Sequence, residues 1–416
     1  MMHSRPDGYY GTLLAAESLT DGMTILHGPS GCRGLASSMS SRYVPREFKT
    51  KEGDFFFHRS RIPCTFVDAD DYIYGASEKV GMILDILKSE DTRFAVVVES
   101  PGASLIGDKL QDEVISAGMS DKTAVIGKCL MSETFGYGYD HTLCEISRKL
   151  AHPQDHIRGK VNLVGLPYIA KGCFPLVREL HSLLASMGLE VIADIGMACT
   201  IDLMKASSSA IANVCICPEY FAETGRYYES MGIPTVRGPL GAPIGYDAIR
   251  AWVEEIASVT GCDPAPALKL VEEERNEVFR FVSGSLGIGE FANYRTYAVL
   301  AEPSVVLPLL RFVSKDLRMA PVSIGFTEKD ETYENEVRSI LDRMGATDAL
   351  SKEFGDGYCD IVFGPGGAAE YLLQKGLCTT AVDIFVPSRY YLDIAPKSII
   401  GLDGCRRIVE QVLNTR

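Results

Sequence analysis

Two short segments set a thiol on a turn shaped by glycine or proline, each beside an apolar run. The first is His27-Gly28-Pro29-Ser30-Gly31-Cys32-Arg33-Gly34, directly after Met23-Thr24-Ile25-Leu26. Without a Cβ, the backbone at Gly28 and Gly31 can approach a bulky group closely, and its free N–H groups can bond a sulfide or thiolate. The second is Arg61-Ile62-Pro63-Cys64-Thr65-Phe66, in which Pro63 fixes the chain just before the thiol; Asp70-Asp71-Tyr72-Ile73-Tyr74-Gly75-Ala76 follows. Thiolates at such turns are suited to holding a metal or an iron–sulfur cluster. The plainer alternative is a tight turn whose cysteine is incidental.

These two belong to a set of twelve cysteines scattered over 416 residues, a high count with no disulfide-scaffold spacing. Cluster ligation or inert buried thiols remain open for each, and the number as a whole suits an anaerobic or strongly reducing cell. The formal net charge is -14, from 41 basic and 55 acidic side chains, without a clustered Lys/Arg run. Nucleic acid and anionic membranes are therefore not expected as partners. No stretch approaches the ~20 apolar residues of a membrane span, and the polar start, Met1 to Tyr10, lacks a signal-peptide pattern. A cytoplasmic protein is expected.

The elements that must position the thiols follow from hydrophobic periodicity. Short apolar runs alternate with helix-period segments, the pattern of parallel sheets wrapped by helices. The clearest unit runs from Lys160 to Met197: a strand over 161–166, a loop with Gly172 and Pro175, a helix over 176–186 capped by Gly188, and a strand over 189–193. Further strands are expected over 94–98, 297–300, 321–326, 360–363 and 380–385, with a charged helix over 271–282. This gives an α/β fold of three Rossmann-like doubly wound units, 1–155, 156–290 and 291–416. The phosphate-cradling P-loop is absent, since no Gly-Lys precedes Ser or Thr. Gly136-Tyr137-Gly138 and Gly287-Ile288-Gly289 begin a dinucleotide fingerprint that neither completes.

The cysteine segments resemble those of the nitrogenase component 1 type family, in which H-G-P-x-G-C supplies the first cluster thiolate and a second cysteine precedes an acidic residue and a V/Y-F/Y-G-G/A run. The resemblance extends along most of the chain. Glu99 to Asp108 is similar to the family's strand and I-G-D segment, Phe135 to Asp140 to its F-x-G region, and Gly401 to Gly404 to its C-terminal turn. Gly232-Ile233-Pro234 with Gly238-Pro239-Leu240-Gly241-Ala242-Pro243-Ile244-Gly245 matches its G-I-P…P-I-G signature. The family's third cysteine falls on Pro101 here, with Ser100 beside it.

The resemblance implies an iron–sulfur cluster, expected as 4Fe–4S, held by Cys32 and Cys64. A 4Fe–4S cluster wants four ligands, so a second chain, identical or related, would complete the shell across a two-fold interface, with Ser100 as the less favoured alternative. Without a P-loop of its own, the chain would receive electrons from a separate ATP-dependent P-loop iron–sulfur reductase and reduce a substrate held between the units. Cys217, after Ala212-Asn213-Val214, matches the family cysteine that anchors an active-site metallocofactor. The C-terminal histidine that would accompany it is missing, the last histidine being His181. That tilts the second cofactor or substrate towards a tetrapyrrole or another organic molecule. A non-catalytic scaffold for metallocluster assembly is the alternative. Weaker candidates are Gly364-Pro365-Gly366-Gly367 as a ligand loop, Arg389, Tyr390 and Tyr391 as pocket residues, His58, Glu99 and Asp108 as proton donors, and Cys129 and Cys173, which no motif claims.

Overall fold

A computed structural model describes residues 6–34, 62–127, 129–284, 295–384 and 395–415. His58, Arg61, Gly287 to Gly289, Arg389, Tyr390 and Tyr391 lie outside them.

The eleven described strands form three all-parallel sheets. The first contains β1 (Met23–His27), β2 (Ala95–Glu99) and β3 (Thr123–Ile126) in the order β1-β2-β3. The second contains β4 (Lys160–Val164), β5 (Glu190–Asp194), β6 (Ala212–Cys215) and β7 (Thr235–Val236), ordered β5-β4-β6-β7. The third contains β8 (Thr296–Ala301), β9 (Ala320–Phe326), β10 (Cys359–Gly364) and β11 (Cys378–Asp383), ordered β11-β10-β8-β9. A strand such as Ala95-Val96-Val97-Val98-Glu99 is buried at every position, because helices cover both faces of a parallel sheet. The second and third sheets each reverse their strand order once, at β4/β6 and at β8/β10. Such a switch point opens a crevice at the carboxyl ends of the strands.

The expected strands are all present, displaced by one or two residues at their ends. The helix expected over 176–186 starts earlier, at Cys173, on a left-handed Gly172. The charged helix expected over 271–282 is part of a longer one, Ala265–Gly284. Cys32 follows β1 on a turn, as expected, and residues 30–34 make that turn helical, with the Cys32 N–H bonded to the Pro29 carbonyl.

Close backbone contacts bind the first unit together and join the second to the third. The first helix, Gly8–Glu17, lies against the helix Phe135–Leu150 through Gly8, Gly11 and Gly138. A Cβ on Gly138 would stand 2.0 Å from the Gly8 carbonyl oxygen, and one on Gly11 would stand 2.1 Å from that of Phe135. The Gly238-to-Gly245 loop docks the second unit on the third. Gly241, at φ +87°, has no room for a side chain against the Ser304 carbonyl, which also accepts the Ala242 N–H. One hydrophobic core runs through all three units.

Candidate functional site

The first site is built on the carboxyl end of β1. Cys64 pairs with Leu26 as an added parallel bridge at the outer edge of this strand, with Leu26 N–H donating to Pro63 and Thr65 N–H to Leu26. Its sulfur therefore lies against the turn that leads to Cys32, 3.1 Å from the Gly28 carbonyl oxygen and 3.9 Å from that of Pro29. The Phe66 N–H points at the same sulfur, at 3.5 Å. Burial pushes the Cys64 thiol up, and the nearby Cys32 thiol adds to this, while the Phe66 N–H and the Arg33 guanidinium oppose it. Arg33 also stacks on the Phe66 ring at 5.3 Å. The two thiols named by the sequence thus share one corner of the molecule.

Neighbouring groups fix that corner. The His27 ring is buried between Thr65 Oγ1 at 3.2 Å and Asp108 Oδ2 at 3.0 Å. Burial lowers its pKa despite the carboxylate. Asp108 also accepts the Ala76 N–H and Thr65 the Gly28 N–H, so the two cysteine segments are tied together by side chains. Ser100 is fully buried and fills the space over Gly28, where a Cβ would stand 2.3 Å from its hydroxyl. The Ala103 N–H donates to that hydroxyl. The Ser100 N–H donates to the His27 carbonyl, continuing the β1–β2 pairing, so its contacts among the described residues are those of strand, turn and packing. Among the described residues, a Cβ on Gly31 would meet nothing within 4 Å.

Among the described residues, no three His, Cys, Asp or Glu side chains could hold a single metal ion. The donor set fits a larger, sulfur-ligated group only as a half site, with two thiols, no described residue crowding Gly31, and the remaining ligands to come from elsewhere.

The second site lies between the units. A cavity of about 260 Å³ is lined by residues just beyond several strand ends: Glu302 after β8, Thr327 and Glu328 after β9, Pro365 after β10 and Ile384 after β11. Tyr220 and the start of the helix Phe135–Leu150 close it from the other units. Glu302 and Pro365 flank the β8/β10 switch point, so the Gly364-to-Gly367 segment is both a strand-to-helix turn and a cavity wall. An adjoining open cleft of about 800 Å³ shares Glu133, Thr134 and Glu328 with it.

Three buried carboxyl groups gather here. Glu302 Oε1 accepts the Tyr220 hydroxyl at 2.5 Å, and its Oε2 faces the Thr327 hydroxyl without a well-formed hydrogen bond. Glu328 accepts the Gly136 N–H at 2.7 Å. Glu219 accepts both the N–H and the hydroxyl of Ser304. Burial, with a smaller contribution from the neighbouring carboxyls, pushes each of the three up to about 7.

Cys217 is fully buried under this wall, among Glu219, Glu302 and Ser304, and is not one of the cavity-lining residues. Glu99 is buried at the end of β2 and pushed up to about 7 by burial and by Asp108. Cys173 is buried at the start of its helix. Sequence reasoning missed Tyr220, Glu302 and Glu328. The available signal was a carboxylate or phenol just past the end of an expected buried strand.

The comparisons with known proteins bear on this arrangement. The family model described as nitrogenase component 1 type oxidoreductase matches residues 8–416. The chain belongs to that family. One of the subunits of the light-independent protochlorophyllide reductase of Halorhodospira halophila is 25% identical over 61% of this chain. The match spans about half of that relative's length, at 50%. The nitrogenase molybdenum-iron protein beta chain of Methanococcus maripaludis is 21% identical over 97% of this chain and 92% of its own. A solved structure of nitrogenase Cp1 at pH 6.5 superimposes with a TM-score of 0.77 over 99% of this chain and 91% of that one, at 14% identity. The fold is therefore that of nitrogenase component 1, with three Rossmann-like units. No helix among the described residues is long and apolar enough to cross a membrane.

Proposed function

We propose that this nitrogenase-like chain is a cytoplasmic reductase subunit that works as a dimer, with itself or with a related chain. It would hold an iron–sulfur cluster between subunits at Cys32 and Cys64 and take electrons from an ATP-dependent P-loop iron–sulfur reductase. The observation that carries this is the convergence of the two thiols on a face of exposed apolar side chains. Phe66, next to Cys64, is 50% exposed; Ile73 is 72% exposed, and Tyr74 and Leu105 are 84% exposed. The loops bearing Tyr72 and Gly102 touch, since a Cβ on Gly102 would stand 2.6 Å from the Tyr72 hydroxyl. An apolar face of this kind suits a subunit interface. A second chain seated there would bring the missing thiolates beside Gly31.

A cluster bound there would supply one-electron transfer. The chain's own residues would do the rest. Gly31 allows close backbone approach, Gly28 makes room for Ser100 beneath the turn, and the His27, Thr65 and Asp108 network fixes the thiol segments. In the second site, Glu302 and Glu328 hold protons near neutrality in the wall of the cavity. A substrate that gains electrons there must gain protons as well, and Glu302 Oε2 is placed to give one. The cavity alone suits a small molecule, while a tetrapyrrole would need the adjoining cleft too. The absence of a histidine after His181 favours an organic substrate over dinitrogen.

Electron transfer tests this reading. The reconstituted protein is mixed anaerobically with a reduced P-loop iron–sulfur ATPase, and the chain's cluster should become reduced only with hydrolysable MgATP. Equal reduction without ATP would contradict it. An assembly scaffold would instead release its iron to an acceptor protein without changing a substrate.

Two further outcomes follow from the same geometry. Leu105→Glu with Tyr74→Glu should convert a two-chain species into a monomer by light scattering; an unchanged mass would rule out this interface. The pH response of the cavity has a defined sign. A carboxyl whose pKa is raised by folding binds its proton more tightly in the native state, so its contribution to stability falls as pH rises from about 4.5 to about 7. Glu302→Gln removes one such group and keeps an acceptor for Tyr220. The variant's melting temperature should gain on the wild type between pH 5 and pH 8, whereas a parallel pair of curves would show that Glu302 does not titrate as described.

A further inference from the structure

Cys129 has no place in the family's motifs and no role so far. It stands just past the carboxyl end of β3, as Cys32 stands just past that of β1. The three strands are parallel and in register, His27 with Glu99 and Val98 with Ile126, so both thiols emerge from the same end of the sheet. With β2 between them, the strands are two spacings apart, roughly 10 Å. Both thiols are half-buried against the same core. A group of several irons and sulfides, lying across that end of the sheet, is wide enough to be reached from the loops that follow both strands.

Tyr9 supplies an independent sign that something belongs there. It is 6% exposed, and its hydroxyl, on the Cys32 side, makes no well-formed hydrogen bond among the described residues. A buried hydroxyl without a partner costs stability, on the order of 1–3 kcal/mol, and a sulfur acceptor would relieve that cost. The neighbouring backbone is fixed: the Gly8 N–H donates to the Glu133 carbonyl, and a Cβ on Gly8 would stand 2.4 Å from the Leu130 oxygen. The first helix thus pins the Cys129 loop and Tyr9 together.

We propose that Cys129 is a third thiolate ligand of the cluster assigned to Cys32 and Cys64, serving where the family's usual cysteine is replaced by Pro101, with the Tyr9 hydroxyl hydrogen-bonded to the cluster's sulfur; this chain then supplies three of the four ligands of a 4Fe–4S cluster and a related partner chain the fourth. The inference rests on the proposed cluster at Cys32 and Cys64. On binding, the Cys129 thiol loses its proton to solvent and an Fe–S bond forms, with no change of oxidation state.

The test uses the full chain reconstituted anaerobically with ferrous iron and sulfide. Cys129→Ser should lower bound iron at least tenfold or change the electron paramagnetic resonance (EPR) spectrum of the reduced protein, while Cys262→Ser, in the half-buried control thiol of the second unit, changes neither. In the unmutated loaded protein, alkylation of Cys32, Cys64 and Cys129 should slow together at least tenfold and recover together when a chelator strips the iron. Tyr9→Phe should keep its iron but shift to a more negative reduction potential, because a donor to sulfur is lost. If the unmutated chain loads iron while Cys129→Ser has the same iron, sulfide and spectrum, or while Cys129 alkylates as fast loaded as stripped, this inference falls and the Cys32/Cys64 site stands. An unchanged potential in Tyr9→Phe removes Tyr9 from it. If the unmutated chain binds no iron, the site itself falls, and this inference with it.

Discussion

Cys32→Ser should reduce cluster iron and acid-labile sulfide to less than a tenth of the unmutated level, with the fold intact. Serine keeps the size but replaces a thiolate by a hydroxyl that stays protonated at neutral pH, so iron loses a ligand in each participating chain. The structure gives no reason for the fold to suffer. Cys32 is only half-buried, its described backbone bond is from its N–H to the Pro29 carbonyl, and no described residue crowds Gly31 beside it. The melting temperature of the metal-free variant should therefore match that of the metal-free parent, consistent with a change within about 0.5 kcal/mol. Iron and sulfide analysis with circular dichroism checks both halves. Full iron content in Cys32→Ser would remove this residue from the ligand set.

Gly138→Ala should have a large effect of a different kind. Judged by helix propensity alone, alanine for glycine inside a helix stabilises by about 1 kcal/mol. Here the new Cβ would stand 2.0 Å from the Gly8 oxygen, 2.6 Å from its carbonyl carbon and 2.7 Å from its Cα, all backbone. Neither helix has a side chain that can move aside, so the first helix must shift away from Phe135–Leu150. The packing of Tyr9, Leu13 and Phe135 loosens with it. A net loss of about 3 kcal/mol is expected, read as an earlier first transition in denaturant. Because the same helix holds the 130–134 loop, the variant should also load less iron. A transition at or above the parent's would contradict the packing argument.

Much of the fold was legible in the sequence because a parallel strand buried on both faces leaves a continuous apolar run, as in Ala95 to Val98 and Val161 to Val164. The ends were less legible: Cys173 joins its helix because Gly172 adopts a left-handed conformation, which no periodicity reveals. Cys32 and Cys64 could be found because their turns have a distinctive local chemistry. Their proximity could not, since it depends on Cys64 adding to the edge of β1 across a long stretch of intervening chain. Cys129, Tyr9 and the Glu302–Glu328 pair were invisible for a related reason. Each belongs to a site assembled from distant segments, and none lies in a run of unusual composition. Glu302 looks like any surface glutamate until β8 and β10 place it at a switch point with the Tyr220 hydroxyl against it.

The central claim is that iron is held by thiolates meeting where two chains join. Anaerobic size-exclusion chromatography of the reconstituted chain, with mass by light scattering and iron read on the same peak, tests it most directly. Iron and sulfide should travel only with a species of two chains, and Leu105→Glu with Tyr74→Glu should lose the dimer and the iron together. Iron retained in full on a monomer, or a two-chain species that binds none, would contradict the account.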